Sequence, residues 1–263
     1  MKLADLAVQV RGIERAITES CCRVEATPWG ALVSNAEFSR VHMANCAWVD
    51  RWSEGLDVED FVVEVAERYD RLGVGHLAIL FSDPLLAFRL QERFARLGFE
   101  PKSDLEMVHV RRPDRERVDG VDVREATADG DREACWRFAA RELEESRYGA
   151  EASREILVLS HRRYPALGVR LFLATIRDRP VGYASLLMRD HMGYIGDLYT
   201  APEDRKRGVG STLILDLIEA SLAAGNAFTS LTTAWTNTAQ EMYRKLGFLT
   251  VGERRGFERG LPR

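Results

Sequence analysis

Residues 198–213 read LYTAPEDRKRGVGSTL. An apolar run ends at Tyr199. Pro202 and the basic cluster Arg205-Lys206-Arg207 follow, and Gly208-Val209-Gly210 opens a helical pattern. Glycines at such a junction let main-chain N–H groups come close to a ligand. A helix N-terminus adds unpaired donors and a partial positive charge. Together they predict a site for an anion, most naturally a pyrophosphate. The third glycine of the nicotinamide fingerprint is missing after Gly210. The G-K-[ST] of a nucleotide-triphosphate loop is absent as well. The structural alternative is a tight turn beside a solvated basic face.

The flanking segments alternate in type. VDVREA (121–126) reads as a strand. Asp129 or Asp131 is placed to cap a helix running through CWRFAARELEES. SREILVLSHRRY (153–164) has helical spacing. VRLFLATI (169–176), RPVGYASLLM (179–188) and MGYIGDLY (192–199) read as consecutive strands, with turns at Asp178-Arg179-Pro180 and Arg189-Asp190-His191. GVGSTLILDLIEASLAA (208–224) is a helix with Leu213, Ile214, Leu217 and Ile218 on its apolar face. AFTSLTTAW (227–235) is a strand. Thr236 to Leu246 is a helix stopped by Gly247, and Phe248 onward reads as a final strand pair. The order β-α-α-β-β-β-α-β-α-β predicts a mixed sheet flanked by helices, of the α/β (α+β) class.

These residues resemble the GNAT superfamily of acyl-CoA-dependent N-acetyltransferases over about 121–260. One signature, [Q/R]-x-x-G-x-[G/A] at a strand-loop-helix junction, is Arg205-Lys206-Arg207-Gly208-Val209-Gly210 here. The second, Ala-x-x-x-Tyr-x-x-x-Gly-Phe, is Ala239, Tyr243, Gly247 and Phe248. The resemblance implies acetyl-CoA as cosubstrate, no metal, and an amine acceptor. Backbone groups of Leu198, Tyr199 and Thr200 would line the pantetheine arm. The N–H groups of Lys206, Arg207, Gly208, Val209, Gly210 and Ser211 would hold the pyrophosphate, with Arg205 nearby. Tyr243 would protonate the leaving thiolate, and Asp197 would accept the amine proton through water. For Asp197 the alternative is a structural acceptor at a strand distortion. Many members place Asn seven residues before the tyrosine. That position is Thr236 here, so Asn237, one residue on, is the remaining cofactor-binding candidate. Arg141-Glu142-Leu143-Glu144-Glu145 falls where the family shapes its acceptor pocket. Acids there can recruit a cationic amine; a solvated helix face is the alternative. Arg147 and Tyr148 are candidates to hold a carboxylate.

The phrase QEMYRKLGF (240–248) recurs as QERFARLGF (91–99), with Phe94 in place of Tyr243. Sliding back from the anion loop by about the same offset lands on SEGLDVED (53–60). Its acids Glu54, Asp57, Glu59 and Asp60 would repel a pyrophosphate. The first half therefore reads as a second GNAT-like module without a working CoA site, the tandem mimicking a dimer within one chain. The alternative is a coincidental helix-Gly-Phe phrase. The charged stretch 110–123 is the natural linker, dividing the chain into 1–112 and 119–263. Within the first module, CCRVEATPWGALVSN and RVHMANCAWV read as strands, 57–73 as a helix and HLAILF (76–81) as a buried strand. LLAFRLQERFARLGF reads as a helix ended by Gly98, and EMVHVR as a strand.

The 263 residues suit two ordinary modules. A net charge of −4 argues against a nucleic-acid partner. The N-terminus reads as an amphipathic helix and no apolar run is long enough to span a bilayer, so no membrane association is expected. Cys21, Cys22, Cys46 and Cys135 lack a C-x-x-C pair, which suits a reducing cytoplasm. Trp29, Trp48 and Trp52 read as core or module interface, and Cys135 as buried packing. Only Lys2, Lys102, Lys206 and Lys245 of the 37 basic residues are lysine, a GC-rich, bacterial bias. The expected assembly is a monomer or homodimer. The readings left open beside a small-molecule acetylase are a non-catalytic acyl-CoA-binding regulator and a protein or peptide N-acetyltransferase.

Overall fold

The computed structural model describes residues 3–111, 113–146 and 148–260. The first half opens with the amphipathic helix α1 (Leu3–Glu19), which buries Leu6, Val10 and Ile13. The segment CCRVEATPWGALVSN is two strands, not one. β1 (Arg23–Thr27) and β2 (Gly30–Ser34) form a hairpin around Pro28-Trp29. RVHMANCAWV is a strand only in its last part, β3 (Cys46–Val49). His42–Ala44 form a 3-10 turn, because the Asn45 amide folds back onto the Phe38 and Val41 carbonyls. α2 (Val58–Asp70), β4 (His76–Phe81), α3 (Pro84–Arg96) and β5 (Glu100–His109) follow.

The second half runs β6 (Asp122–Glu125), α4 (Asp129–Glu145), α5 (Ala150–Leu167), β7 (Arg170–Ile176), β8 (Arg179–Arg189) and β9 (Met192–Thr200). α6 (Val209–Ala223), β10 (Phe228–Ala234), α7 (Ala239–Lys245) and β11 (Leu249–Gly260) complete it. Several details differ from expectation: among them, β8 runs through Arg189, α7 begins at Ala239, and β5 begins at Glu100. The β7–β8 turn lies at Arg177-Asp178, both with positive φ, and Arg179 and Pro180 already belong to β8. Neither Asp129 nor Asp131 caps α4. Ala128 stands at the cap, and Asp131 instead forms a two-point ion pair with Arg124. The chain after Phe248 is a single long strand, not a pair.

Among the described residues, all eleven strands form one sheet in the order β1-β2-β3-β4-β11-β5-β10-β9-β8-β7-β6. The last strands of the two halves are exchanged. β11 lies against β4 of the first half, and β5 lies against β10 of the second. β5 and β11 pair with each other at the centre. Their facing pairs Leu105↔Glu253 and Asp104↔Arg254 map onto one another under the 149-residue shift. The repeat is thus a pseudo-two-fold axis through the sheet.

On one face, α6 and α7 cover a core that includes Met107, Leu186, Leu213, Ile218 and Phe248. α2 and α3 cover a second core of Trp29, Phe61, Phe81, Phe94 and Phe257. Phe257 stands opposite Pro101, so it shares a face with Leu105 and Met107 and places both cores on the same side. α1 and α4 pack on the other side, over Val108 and Leu187 and over Leu173 and Tyr183 respectively. Trp48 is buried and donates its indole N–H to Ser82, while Trp52 packs edge-on to Phe61. Among the described residues, no helix is long and apolar enough to cross a membrane.

Candidate active site

The loop between β9 and α6 is built around a buried acid. Asp204, 1% exposed, takes two bonds from Arg179 (2.9 and 2.8 Å) and one from Arg207 (2.6 Å). The Arg179 bonds, reinforced by Arg207, hold its carboxyl below the usual range. The Arg207 guanidinium is thus engaged by Asp204 while its side chain stays half exposed. Arg205 is also engaged, donating to the Thr200 carbonyl at 3.1 Å and to Glu145 at 3.0 Å. Lys206 (φ 62°) and Gly208 (φ 81°) then bend the chain into α6.

No side chain caps α6, and the first helical bond runs from Thr212 N–H to Gly208 O at 2.9 Å. Among the described residues the first turn of α6 thus has no side-chain acceptor for its N–H groups, an arrangement suited to an anion. A Cβ at Gly210 would meet Met242 Sδ at 3.6 Å, Met242 Cε at 3.7 Å and Thr200 Oγ1 at 3.8 Å, all ordinary contact distances. A Cβ at Gly208 would lie 2.3 Å from Val118 Cγ2. The linker is a strap across this helix end. Val118 N–H reaches Thr212 Oγ1 at 3.3 Å, and Arg117 pairs with Asp216 and Glu219.

Strand β9 is distorted just ahead of the loop. Tyr183 faces Tyr199 and Ser185 faces Gly196, so Asp197 and Leu198 oppose a single residue of β8. This is a β-bulge, with Asp197 at φ 45°. β9 and β10 are parallel neighbours only as far as Ile195↔Leu231. Beyond that point they separate, leaving 196–200, with the main chain of Leu198, Tyr199 and Thr200, along a wedge that ends at the α6 loop.

The wedge opens into a cleft of about 1590 Å³ that draws on both halves of the chain. Glu142, Tyr148, Tyr164, Tyr183, Ser185 and Asp197 border it on one side. His42, Lys102, Asp104 and the β11 residues Glu253, Arg255 and Glu258 border it on the other. Asp197 accepts hydrogen bonds from Ser185 Oγ (2.7 Å) and from the Tyr164 hydroxyl. Its structural reading and its chemical reading are both compatible with that placement. Glu142 accepts one bond, from Tyr183 at 3.3 Å. Burial, then the Asp197 charge, push its carboxyl up to about 7.

Tyr243, on α7, is 8% exposed and packs beside Leu213 and Phe248. Burial, then the Glu142 charge, push its phenol up to about 12. The gap to an ordinary thiol near 8.5 is thus about 3.5 units, against about 1.5 for a free phenol. Asn237 caps the α7 turn, its side-chain oxygen accepting the Ala239 N–H at 2.9 Å. Arg147 lies outside the described residues, and Tyr148 is largely exposed at the cleft mouth. Within the acidic run of α4, Glu145 turns to Tyr199 and Arg205, and only Glu142 borders the cleft. His42, held at 3.1 Å from Glu258, and the Tyr164–Ser185 pair carried no recognisable sequence signal.

The first half has none of this. Asp57 caps α2, accepting the Glu59 N–H at 2.9 Å, and Arg93 pairs with Asp57 and Glu59. β3 and β4 stay paired to Val49↔Phe81, and Ser82 N–H continues to Val49 O at 2.9 Å, so no wedge forms. Phe94 stands where Tyr243 stands, fully buried and stacked on Phe257 at 4.4 Å.

Residues 133–248 match the acetyltransferase (GNAT) family model. No curated protein matches the chain. Solved structures of similar fold include a functionally unknown conserved protein from Staphylococcus epidermidis ATCC 12228. It has 14% identity and a TM-score of 0.72, over 92% of this chain and 95% of that one. A GCN5-related N-acetyltransferase from Kribbella flavida has 16% identity and a TM-score of 0.67, over 100% and 97%. A tandem GNAT protein from the clavulanic acid biosynthesis pathway has 14% identity and a TM-score of 0.52, over 83% and 76%. At these identities the likeness is one of fold, and it extends to tandem GNAT architecture.

Proposed function

We propose that this chain is an acetyl-CoA-dependent N-acetyltransferase acting on a primary amine of a small molecule, with residues 119–263 as the catalytic module and 1–112 as a degenerate one. The observation that carries the reading is the uncapped N-terminus of α6, continuous with the wedge between β9 and β10. The N–H groups of 206–211 bind the pyrophosphate. The main chain of Leu198, Tyr199 and Thr200 lines the pantetheine arm, and Asn237 stands at the far side of the wedge. Acetyl-CoA supplies the activated thioester. The chain's own residues orient the amine from the cleft side, and Tyr243 delivers a proton to the departing sulfur. Burial of Tyr243 makes that transfer uphill in the resting site, so it proceeds late, as negative charge builds on sulfur.

Thiol release from acetyl-CoA across polyamines, aminoglycosides, amino acids and peptides tests the reading. Release with a small amine supports it. Binding without release from any acceptor favours an acyl-CoA-binding regulator, and release with peptides alone favours a peptide acetylase. Tyr243→Phe keeps the packing on Phe248. It is expected to lower turnover at least ~10-fold, at the low end of what a positioned acid supplies, with acetyl-CoA affinity little changed. Wild-type turnover, with chemistry rate-limiting, would remove Tyr243 from the mechanism.

A further inference from the structure

A second cavity, of about 680 Å³, lies apart from the cleft and shares no lining residue with it. Its size is within the ~300–1,000 Å³ span of small-ligand sites. Its lining comes from three segments. They are the end of the linker strap at Asp119 and Gly120, Arg177 of the β7–β8 turn with Arg179 beside it, and Arg207 of the loop before α6. The cavity thus borders β6, β7 and β8, whereas the wedge lies between β9 and β10.

Three guanidinium groups meet here, and they carry more donors than the protein uses. Each has five N–H groups. Arg179 gives two to Asp204 and Arg207 gives one. Their side chains are still 54% and 50% exposed. Arg177 is exposed, sits at φ 48°, and has no hydrogen bond or ion pair among the described residues. Exposed Asp119 is the one carboxylate in the lining. Asp178, between the two arginines in sequence, lends its charge to Arg124 of β6. A Cβ at Gly120 would meet nothing within 4 Å, so the strap leaves room at that point. Holding Asp204 accounts for three of the bonds, but not for Arg177 or for the space between the three side chains.

We propose that this cavity binds a small phosphomonoester distinct from the acyl donor. Phosphate oxygens match the planar fork of arginine, and charge-assisted bonds of this kind are the strong ones. Arg177 supplies a whole fork. Arg179 and Arg207 supply the N–H groups that Asp204 leaves over, so the ligand enters without breaking the Asp204 bonds. Asp204 and Asp119 offset two of the three positive charges. Recognition therefore rests on converging donors more than on net charge.

Calorimetric titration with inorganic phosphate, at an ionic strength held constant with chloride, tests the site without any acyl donor. Gly210→Asp sets a carboxylate on the first turn of α6 and so removes that helix end as a rival anion site. This variant should still bind one phosphate per chain. Adding Arg177→Gln should weaken the binding at least ~10-fold, with the unfolding midpoint unchanged because Arg177 lies on an exposed turn. Adding Asp119→Asn instead should tighten it at least ~2-fold, a gain that misfolding cannot imitate. No saturable binding in Gly210→Asp, binding that Arg177→Gln leaves unchanged, or binding that Asp119→Asn fails to tighten would overturn the site. The other source of a phosphomonoester is the 3′-phosphate of CoA. Arg177→Gln in the otherwise wild-type chain should leave affinity for CoA and for dephospho-CoA within ~3-fold. A loss seen with CoA and not with dephospho-CoA would give the cavity to the acyl donor and overturn a separate site. A chain that binds neither form of CoA would undo the acetyltransferase reading, and the phosphate titration would still decide this one.

Discussion

Helix α2 begins behind Asp57, whose carboxylate takes the Glu59 N–H, and Arg93 reaches across from α3 to pair with Asp57 and Glu59. Helix α6 begins at the matching point of the second half behind Gly208, with no side chain on its donors. The strands ahead of them differ in the same sense. β3 and β4 remain paired to their ends, whereas β9 and β10 part after Ile195 and Leu231. The frames are otherwise alike. Gly98 and Gly247 stop α3 and α7 with the same bonds, Phe99 N–H to Phe94 O at 3.1 Å and Phe248 N–H to Tyr243 O at 3.0 Å. A ligand site is thus a local property of this fold. On the proposed reading, one capping acid and a few more rungs of ladder turn a place for a pyrophosphate into a self-satisfied helix end.

The largest expected effect tests whether the first half is now purely structural. Phe94 is fully buried, packs edge-on to Phe61, Phe81 and Phe99, and stacks on Phe257 of the exchanged strand. Phe94→Ala should destabilise the chain by about 3–5 kcal/mol, read from urea unfolding. A loss below about 1 kcal/mol would mean that the strand exchange does not depend on this contact. On the proposed reading, in which only the second half holds the acyl donor, Phe94→Tyr should give no gain in thiol release.

Next in size, Gly210→Asp brings to α6 the charge that α2 carries. The position has room, with Met242 Sδ 3.6 Å from the added Cβ. CoA affinity should fall at least ~30-fold, about 2 kcal/mol, while the unfolding midpoint holds. Unchanged affinity would place the pyrophosphate elsewhere. Gly208→Val is the less informative change, because its side chain would strike Val118 of the strap and disturb the loop even without ligand.

A smaller effect comes from the seam, where the pseudo-two-fold breaks down. Glu106 of β5 is wholly buried beneath α1, 3.5 Å from Arg11, while Arg255, its counterpart at the repeat offset, is partly exposed. Burial pushes Glu106 from an ordinary 4.5 up to about 7. Between those values the folded chain holds a proton that the unfolded chain has lost. Stability therefore falls as pH rises through that window and levels off above it. Glu106→Gln should flatten this slope and stabilise the protein at pH 8 by about 1–3 kcal/mol, with no gain at pH 4. An undiminished slope between 4.5 and 7 would assign it to other groups.

The second half was legible almost strand by strand. Its apolar runs are bounded by turn residues, and the glycines at 208, 210 and 247 mark the helix ends by their chemistry. The first half was legible mainly through QERFARLGF, because its loop had lost the glycines that advertise a site. The strand exchange was not legible. Residues 100–104, EPKSD, carry no strand pattern, and their pairing with β11 depends on contacts about 150 residues away. The acids of α4 were visible as a run, but which of Glu142, Glu144 and Glu145 meets the cleft depends on how the helix is rotated against β8 and β9. The bulge at Asp197 was expected from resemblance. Its hydrogen bonds to Ser185 and Tyr164 come from β8 and α5, which no local pattern connects.

The central claim is that one half of a two-fold frame binds the acyl donor and the other has closed its site. Calorimetric titration of the full chain with CoA tests it most directly. The account predicts one equivalent bound per chain, lost in Gly210→Asp and retained in Asp57→Ala without a second site appearing at CoA concentrations that fill the first. Two equivalents per wild-type chain, or one that survives Gly210→Asp and vanishes in Asp57→Ala, would contradict it.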